Sequence, residues 1–186
     1  MKKATILIAA LFFLALSIPA QSKSNDAISR QISALKSGKA ITLTYDQNSN
    51  VSKLMAVSEN FPDQETGRAG IMAMNFAIGF MYPGKSLISA PDKLLIAFWV
   101  MTKKPRFAAS HNLLVPRIDL DLGAARYVAK PRLNMEYLNF DLSREDLEKI
   151  AAQPNAQIRL GNADLTFTRA QIKAISDVLI ISDPAR

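Results

Sequence analysis

Residues 71–82 read IMAMNFAIGFMY. The even positions, Met72, Met74, Phe76, Ile78, Phe80 and Tyr82, are all large, and the odd positions Ala73, Asn75, Ala77 and Gly79 are mostly small. A period of two over this length predicts a long strand, because successive side chains on a strand point to opposite faces. One face is then bulky and the other nearly bare. A bare face lets another element come close to the backbone. The expected cause is a packed helix, and a ligand is the sharper alternative. A buried helix is the competing reading of so apolar a run.

The neighbouring segments follow the same logic. Ile41, Leu43 and Tyr45 alternate with Thr42 and Thr44, residues 46–50 (DQNSN) are turn material, and Val51 to Val57 completes a hairpin. Residues 59–70 (ENFPDQETGRAG) read as a polar loop. Leu94 to Met101 is apolar on both faces and suits a central strand. Ser110 to Leu122 reads as a strand with a bulge or edge at Pro116. Leu133 to Leu142 follows, with Leu138, Phe140 and Leu142 on the core side.

Helices are signalled at the ends of the chain. Ile28, Ile32 and Leu35 recur at helical spacing behind Ser24, Asn25 and Asp26, with Gly38 as a natural stop. Ser143 caps a helix carrying Leu147 and Ile150 that Pro154 ends. Gly161-Asn162 is a two-residue hairpin turn of the glycine-first type. Thr168 to Gln171 forms a capping box that opens a helix with Ile172, Ile175 and Leu179 inward. No internal repeat or dividing linker is evident. The expected architecture is one α+β domain over residues 21–186, mainly antiparallel, with an N-terminal helix and two C-terminal helices.

Residues 1–20 read as a secretory signal peptide. Lys2 and Lys3 precede the apolar run Ala4 to Leu16, and Ser17-Ile18-Pro19-Ala20 supplies a small residue at the cleavage edge. Cleavage after Ala20 leaves 166 of the 186 residues and no segment long enough to span a membrane. The expected location is periplasmic or extracellular. With no cysteine, disulfides, thiol nucleophiles and cysteine-bound zinc are excluded. The chain has 23 basic and 16 acidic residues, so the form lacking Lys2 and Lys3 carries +5. That balance favours anionic partners without naming one.

Four constellations bear on chemistry. Gly79 to Ser86 (GFMYPGKS) fits the phosphate-loop pattern, but Pro83 removes an N–H from the cradle and Pro91 leaves barely a turn for the helix that should follow. A proline-glycine turn between strands is the reading, with no nucleotide and no cofactor. Asp119 and Asp121 share a face if they lie on one strand, beside Arg117, and read as a solvated face. His111 is the single histidine, and a catalytic role would require a carboxylate supplied by the fold. Lys103, Lys104, Arg106 and Phe107 form a compact basic turn with one aromatic, stiffened by Pro105, which Arg126, Lys130 and Arg132 can join in space.

That turn is the first candidate for partner binding. The sequence therefore points to an exported, non-catalytic binding or envelope-associated structural protein, with an anionic envelope surface or polymer as its partner. The alternative is a small secreted hydrolase using His111 with a carboxylate.

Overall fold

The computed structural model describes residues 22–35 and 40–185. The expected signal peptide and the expected helix stop at Gly38 lie outside the described residues. Among those described, no helix is long and apolar enough to cross a membrane.

Residues 71–82 do form a strand. β4 runs Ala73–Pro83 and pairs antiparallel with β3 (Val51–Val57) on one side and β6 (Lys93–Met101) on the other. β2 (Ile41–Asp46) extends this sheet beyond β3, and β10 (Met135–Ser143) and β9 (Arg126–Lys130) extend it beyond β6. The order is β2-β3-β4-β6-β10-β9. Cross-strand partners match like with like: Phe76 faces Phe98 and Ile78 faces Ile96.

The bulky phase of β4 is the core phase. Met74, Phe76, Ile78, Phe80 and Tyr82 are buried, whereas Met72 precedes the strand and is 51% exposed. Over this face lie α1 (Asn25–Ala34), α3 (Arg144–Ala151) and α4 (Arg169–Ile181), whose apolar residues join one core with the sheet, and the short α2 (Asp63–Arg68), which buries only Thr66. Phe167, at the entry to α4, packs against Phe76 and Phe61 with ring centroids 5.1 and 5.8 Å apart. Three caps expected from sequence are in place: Ser24 and Ser143 accept N–H groups from Ala27 and Asp146, and Thr168 with Gln171 closes a capping box.

A second sheet, order β12-β11-β7-β8, joins β7 (Asn112–Val115), β8 (Leu120–Ala124), β11 (Gln157–Leu160) and β12 (Ala163–Thr166). Two short strands, β1 (Lys23–Ser24) and β5 (Ser86–Leu87), pair separately. Lys23 is almost wholly buried. Its ammonium donates to the Gln31 side chain and to the carbonyls of Ile181 and Asp183, at 3.0, 3.3 and 2.7 Å. The start of the described chain is thereby tied to the C-terminal end of α4, where carbonyls lack helical partners.

Four expectations are corrected. The polar loop 59–70 contains α2, which lacks an apolar stripe and carries Gly67 inside it. Ser110 to Leu122 is not one bulged strand but a hairpin: Pro116–Ile118 makes a 3-10 turn and Asp119 takes φ 48°, the left-handed region. The same turn recurs at Pro131–Leu133 with Asn134 at φ 53°, so P-R-I-D and P-R-L-N form a local repeat. Finally, no described helix covers the small-residue face of β4. A Cβ on Gly79 would run into the Leu54 carbonyl, so the element that approaches closely is the neighbouring strand.

Candidate functional site

β6 ends at Met101, and the chain must then leave the sheet through residues 102–107. Met101 pairs with Met135 at the start of β10, and the Thr102 N–H donates to the Asn134 carbonyl at 2.9 Å. This lays the basic turn directly against the second proline turn. Beneath both sits Glu136, which shares the inward phase of Leu138 and Phe140 and is 1% exposed.

A buried carboxylate has to be satisfied by donors. Glu136 accepts from the Arg106 N–H at 3.0 Å, the Phe107 N–H at 2.9 Å, the Thr102 hydroxyl at 2.8 Å and the Tyr127 hydroxyl at 2.8 Å. Burial is the largest single influence on its carboxyl and acts to raise its pKa. The N–H groups of Arg106 and Phe107 and the two hydroxyls together outweigh burial and hold it below the ordinary range. The Tyr127 phenol is pushed up to about 12 by burial, by its bond to Glu136 and by that carboxylate's charge. The group is a fixed anion that clamps the loop.

Phe107 was expected on the surface with the cations. It is 2% exposed and belongs to the core, because the clamp on its N–H turns it inward as a plug. Its carbonyl accepts from His111 Nδ1 at 3.0 Å, and a carbonyl acceptor requires that nitrogen to carry the proton. The His111 ring also stacks on Tyr127 at 5.4 Å and 18°. Glu136 makes no direct contact with His111: the two are linked through the Phe107 backbone and through Tyr127, and four donors already occupy the carboxylate. Within this arrangement His111 braces the loop.

Lys103, Lys104 and Arg106 are exposed, as are Lys130 and Arg132 on the adjoining turn. None of the five forms an ion pair with a described carboxylate. Lys130 lies over the Tyr137 ring at 5.1 Å. Arg126, the other residue expected nearby, instead pairs with Asp141 at 3.1 Å. Between the cations stand exposed apolar side chains: Met72 beside Lys103 and Arg106 in a shallow depression of about 520 Å³, and Leu133, 61% exposed, between Arg132 and β10.

The other constellations do not assemble. In the phosphate-loop match, residues 79–83 are strand, all paired with β3 and Gly79 also with β6, and β5 stands where a helix should start. The Lys85 ammonium lies over the Tyr45 ring at 4.8 Å. Asp119 sits in the turn while Asp121 accepts from the Gly123 N–H at 2.8 Å, so the two share no strand face. Among the described residues no group of three or more metal-ligating side chains converges. No known protein family, curated protein or solved structure matches this chain, so what the site does has to follow from its own geometry.

Proposed function

We propose that this is an exported, non-catalytic binding protein that docks on an anionic lipid surface of the cell envelope through its two abutting turns. The observation that carries the reading is the grouping of five unpaired cations around exposed Met72 and Leu133. Cations alone would suit any polyanion. Apolar side chains protruding among them suit a bilayer, where the charges meet headgroups and the apolar tips enter the interface. The Glu136 clamp supports the reading because a turn held rigid loses little freedom on docking.

The test is co-sedimentation with anionic and with neutral vesicles at several salt concentrations. Each cation near an anionic surface contributes about 1 kcal/mol. A Lys103/Lys104/Arg106 triple alanine variant should therefore bind anionic vesicles about 100-fold more weakly. Binding of the unaltered protein should fall steeply as the Debye length shortens from about 10 Å at 0.1 M salt to about 3 Å at 1 M. Equal sedimentation of the two proteins, or no preference for anionic vesicles, refutes it. Binding to a soluble envelope polyanion with no vesicle binding would leave the cations as the site and remove the bilayer.

A further inference from the structure

The two larger sheets have four edge strands between them, and an edge strand offers unpaired backbone groups to any other chain. Three of the four are blunted. β9 starts at Arg126 and ends at Lys130, with Pro131 directly after it. β8 contains Gly123 at φ 76° and shifts register against β7. β12 has only four residues, and the Glu65 carboxylate occupies its edge by accepting the Thr166 N–H at 2.9 Å. β2 has none of these devices. It is the longest of the four edges, and it pairs with β3 in unbroken register from Ile41 to Asp46. It contains no lysine, arginine, proline or glycine. Its single charge, Asp46, turns back to accept the Asn48 N–H and the Ser49 hydroxyl at 2.9 and 2.8 Å. Among the described residues no backbone group bonds to its outer side. Ile41, Thr42, Thr44 and Tyr45 are β-branched or aromatic, so nothing in the strand resists a further extension of the sheet.

The order of side chains in β2 says what would extend it. Ile41 is buried and Leu43 packs against the core, so the odd positions face inward. Thr42 and Thr44 are exposed on the opposite face, beside their β3 partners Met55 and Lys53. An antiparallel copy of the same strand, centred on Leu43, sets Leu43 against Leu43, Ile41 against Tyr45 and Thr42 against Thr44. Directly opposed residues share a sheet face, so apolar side chains meet apolar ones and hydroxyls meet hydroxyls. Aromatic–β-branched and Thr–Thr pairs are favourable cross-strand combinations. Residues 41–45 carry no charge, so the positive balance of the chain does not oppose the contact there. The strand is complementary to itself, which is what a two-fold contact requires.

We propose that β2 is a homodimer contact, through which two copies of the chain join edge to edge, antiparallel about Leu43, so that their six-stranded sheets become one. Each copy uses its one unblunted edge, so the assembly closes at two. The contact is separate from the two basic turns, because β2 stands three places from β6 in the sheet order. Dimerisation and membrane docking can therefore fail independently.

A join of one short strand pair is small, so the dimer shows as a concentration dependence rather than as a fixed species. Sedimentation velocity of the purified protein from about 1 µM to about 1 mM should move from monomer toward dimer. Thr42→Glu/Thr44→Glu sets like charges opposite each other twice across the join and should weaken dimerisation about tenfold. Thr42→Lys/Thr44→Glu differs only in the sign at position 42. It turns both pairs into opposite charges and should dimerise at least as tightly as the unaltered protein. Both variants alter exposed positions and share the change opposite Lys53, so both should keep the melting temperature of the fold. The Lys103/Lys104/Arg106 variant should dimerise normally. A chain that stays monomeric throughout the series, a dimer indifferent to Thr42→Glu/Thr44→Glu, or equal weakening by the two charge variants each overturns the proposal.

Discussion

Glu136→Ala tests how the basic turn is held. The substitution removes the acceptor for four donors. The Arg106 N–H and the Tyr127 hydroxyl belong to residues that are exposed and half-buried and can regain water. The Phe107 N–H and the Thr102 hydroxyl belong to residues only 2% exposed and cannot. A hydrogen bond to a charged group contributes about 1.5–3 kcal/mol net, so two orphaned donors represent about 3–6 kcal/mol. Relief from burying the carboxylate returns part of that, and the expected loss is about 3 kcal/mol. Glu136→Gln keeps the shape but offers one acceptor oxygen and turns an NH₂ toward a donor, so about half that loss is expected.

Urea unfolding followed by Trp99 is the assay, since Trp99 pairs with Tyr137 on the strand that carries Glu136. With about 1–3 kcal/mol per molar urea, the alanine midpoint should fall by at least about 1 M. A carboxyl held below its ordinary value stabilises the fold above about pH 4.5, and that contribution is lost as pH falls through the folded-state value. The acid limb of the stability curve should be flatter in Glu136→Gln. Losses under about 1 kcal/mol in both variants, with an unchanged acid limb, would show that the carboxylate does not clamp the loop.

Three further outcomes are expected. Ile175→Ala, at a position with no exposure in the shared core, should cost about 3–5 kcal/mol by chemical denaturation, and a loss under about half a kcal/mol would place α4 outside the core. Gly79→Ala should destabilise by at least about 2 kcal/mol, because its methyl meets the Leu54 carbonyl on a neighbouring strand that cannot move without breaking the ladder; a melting temperature equal to the unaltered protein's would contradict this. Intact mass measurement of the exported protein should place its N-terminus near Gln21, and retention of Met1 in a cytoplasmic fraction would rule out export.

The sheet was legible where one phase of a strand was large and apolar, as in 71–82 and in Leu138, Phe140 and Leu142, because burial on one side leaves a period of two. Turns were harder. Pro116 was visible, but the chain reverses there only because Asp119 accepts a left-handed backbone, and an aspartate in sequence does not announce its φ. The matching Asn134 made the second turn a copy of the first, a signal present in P-R-I-D and P-R-L-N but separated by strands of different composition. Glu136 was also readable: it occupies the same phase as Leu138, Phe140 and Leu142, and a lone carboxylate in a core phase needs donors from elsewhere. What could not be read was their source, since the loop that supplies three of the four lies about thirty residues upstream. For the same reason Phe107, preceded by four exposed residues, gave no sign that it points inward.

The bonds from Lys23 to the carbonyls of Ile181 and Asp183 span 158 and 160 residues. Contacts of such long range cannot belong to a local folding nucleus, and proteins rich in them fold slowly. Until α4 docks, β1 is held by its two-residue pairing with β5 and by the bonds of the adjoining Asn25 to Lys85 and Ser52, and the Lys23 ammonium has only the Gln31 side chain of its three partners. The clasp therefore closes only when α4 docks, and a substitution such as Lys23→Ala would lengthen the time during which the N-terminal segment of the fold remains open to proteolysis.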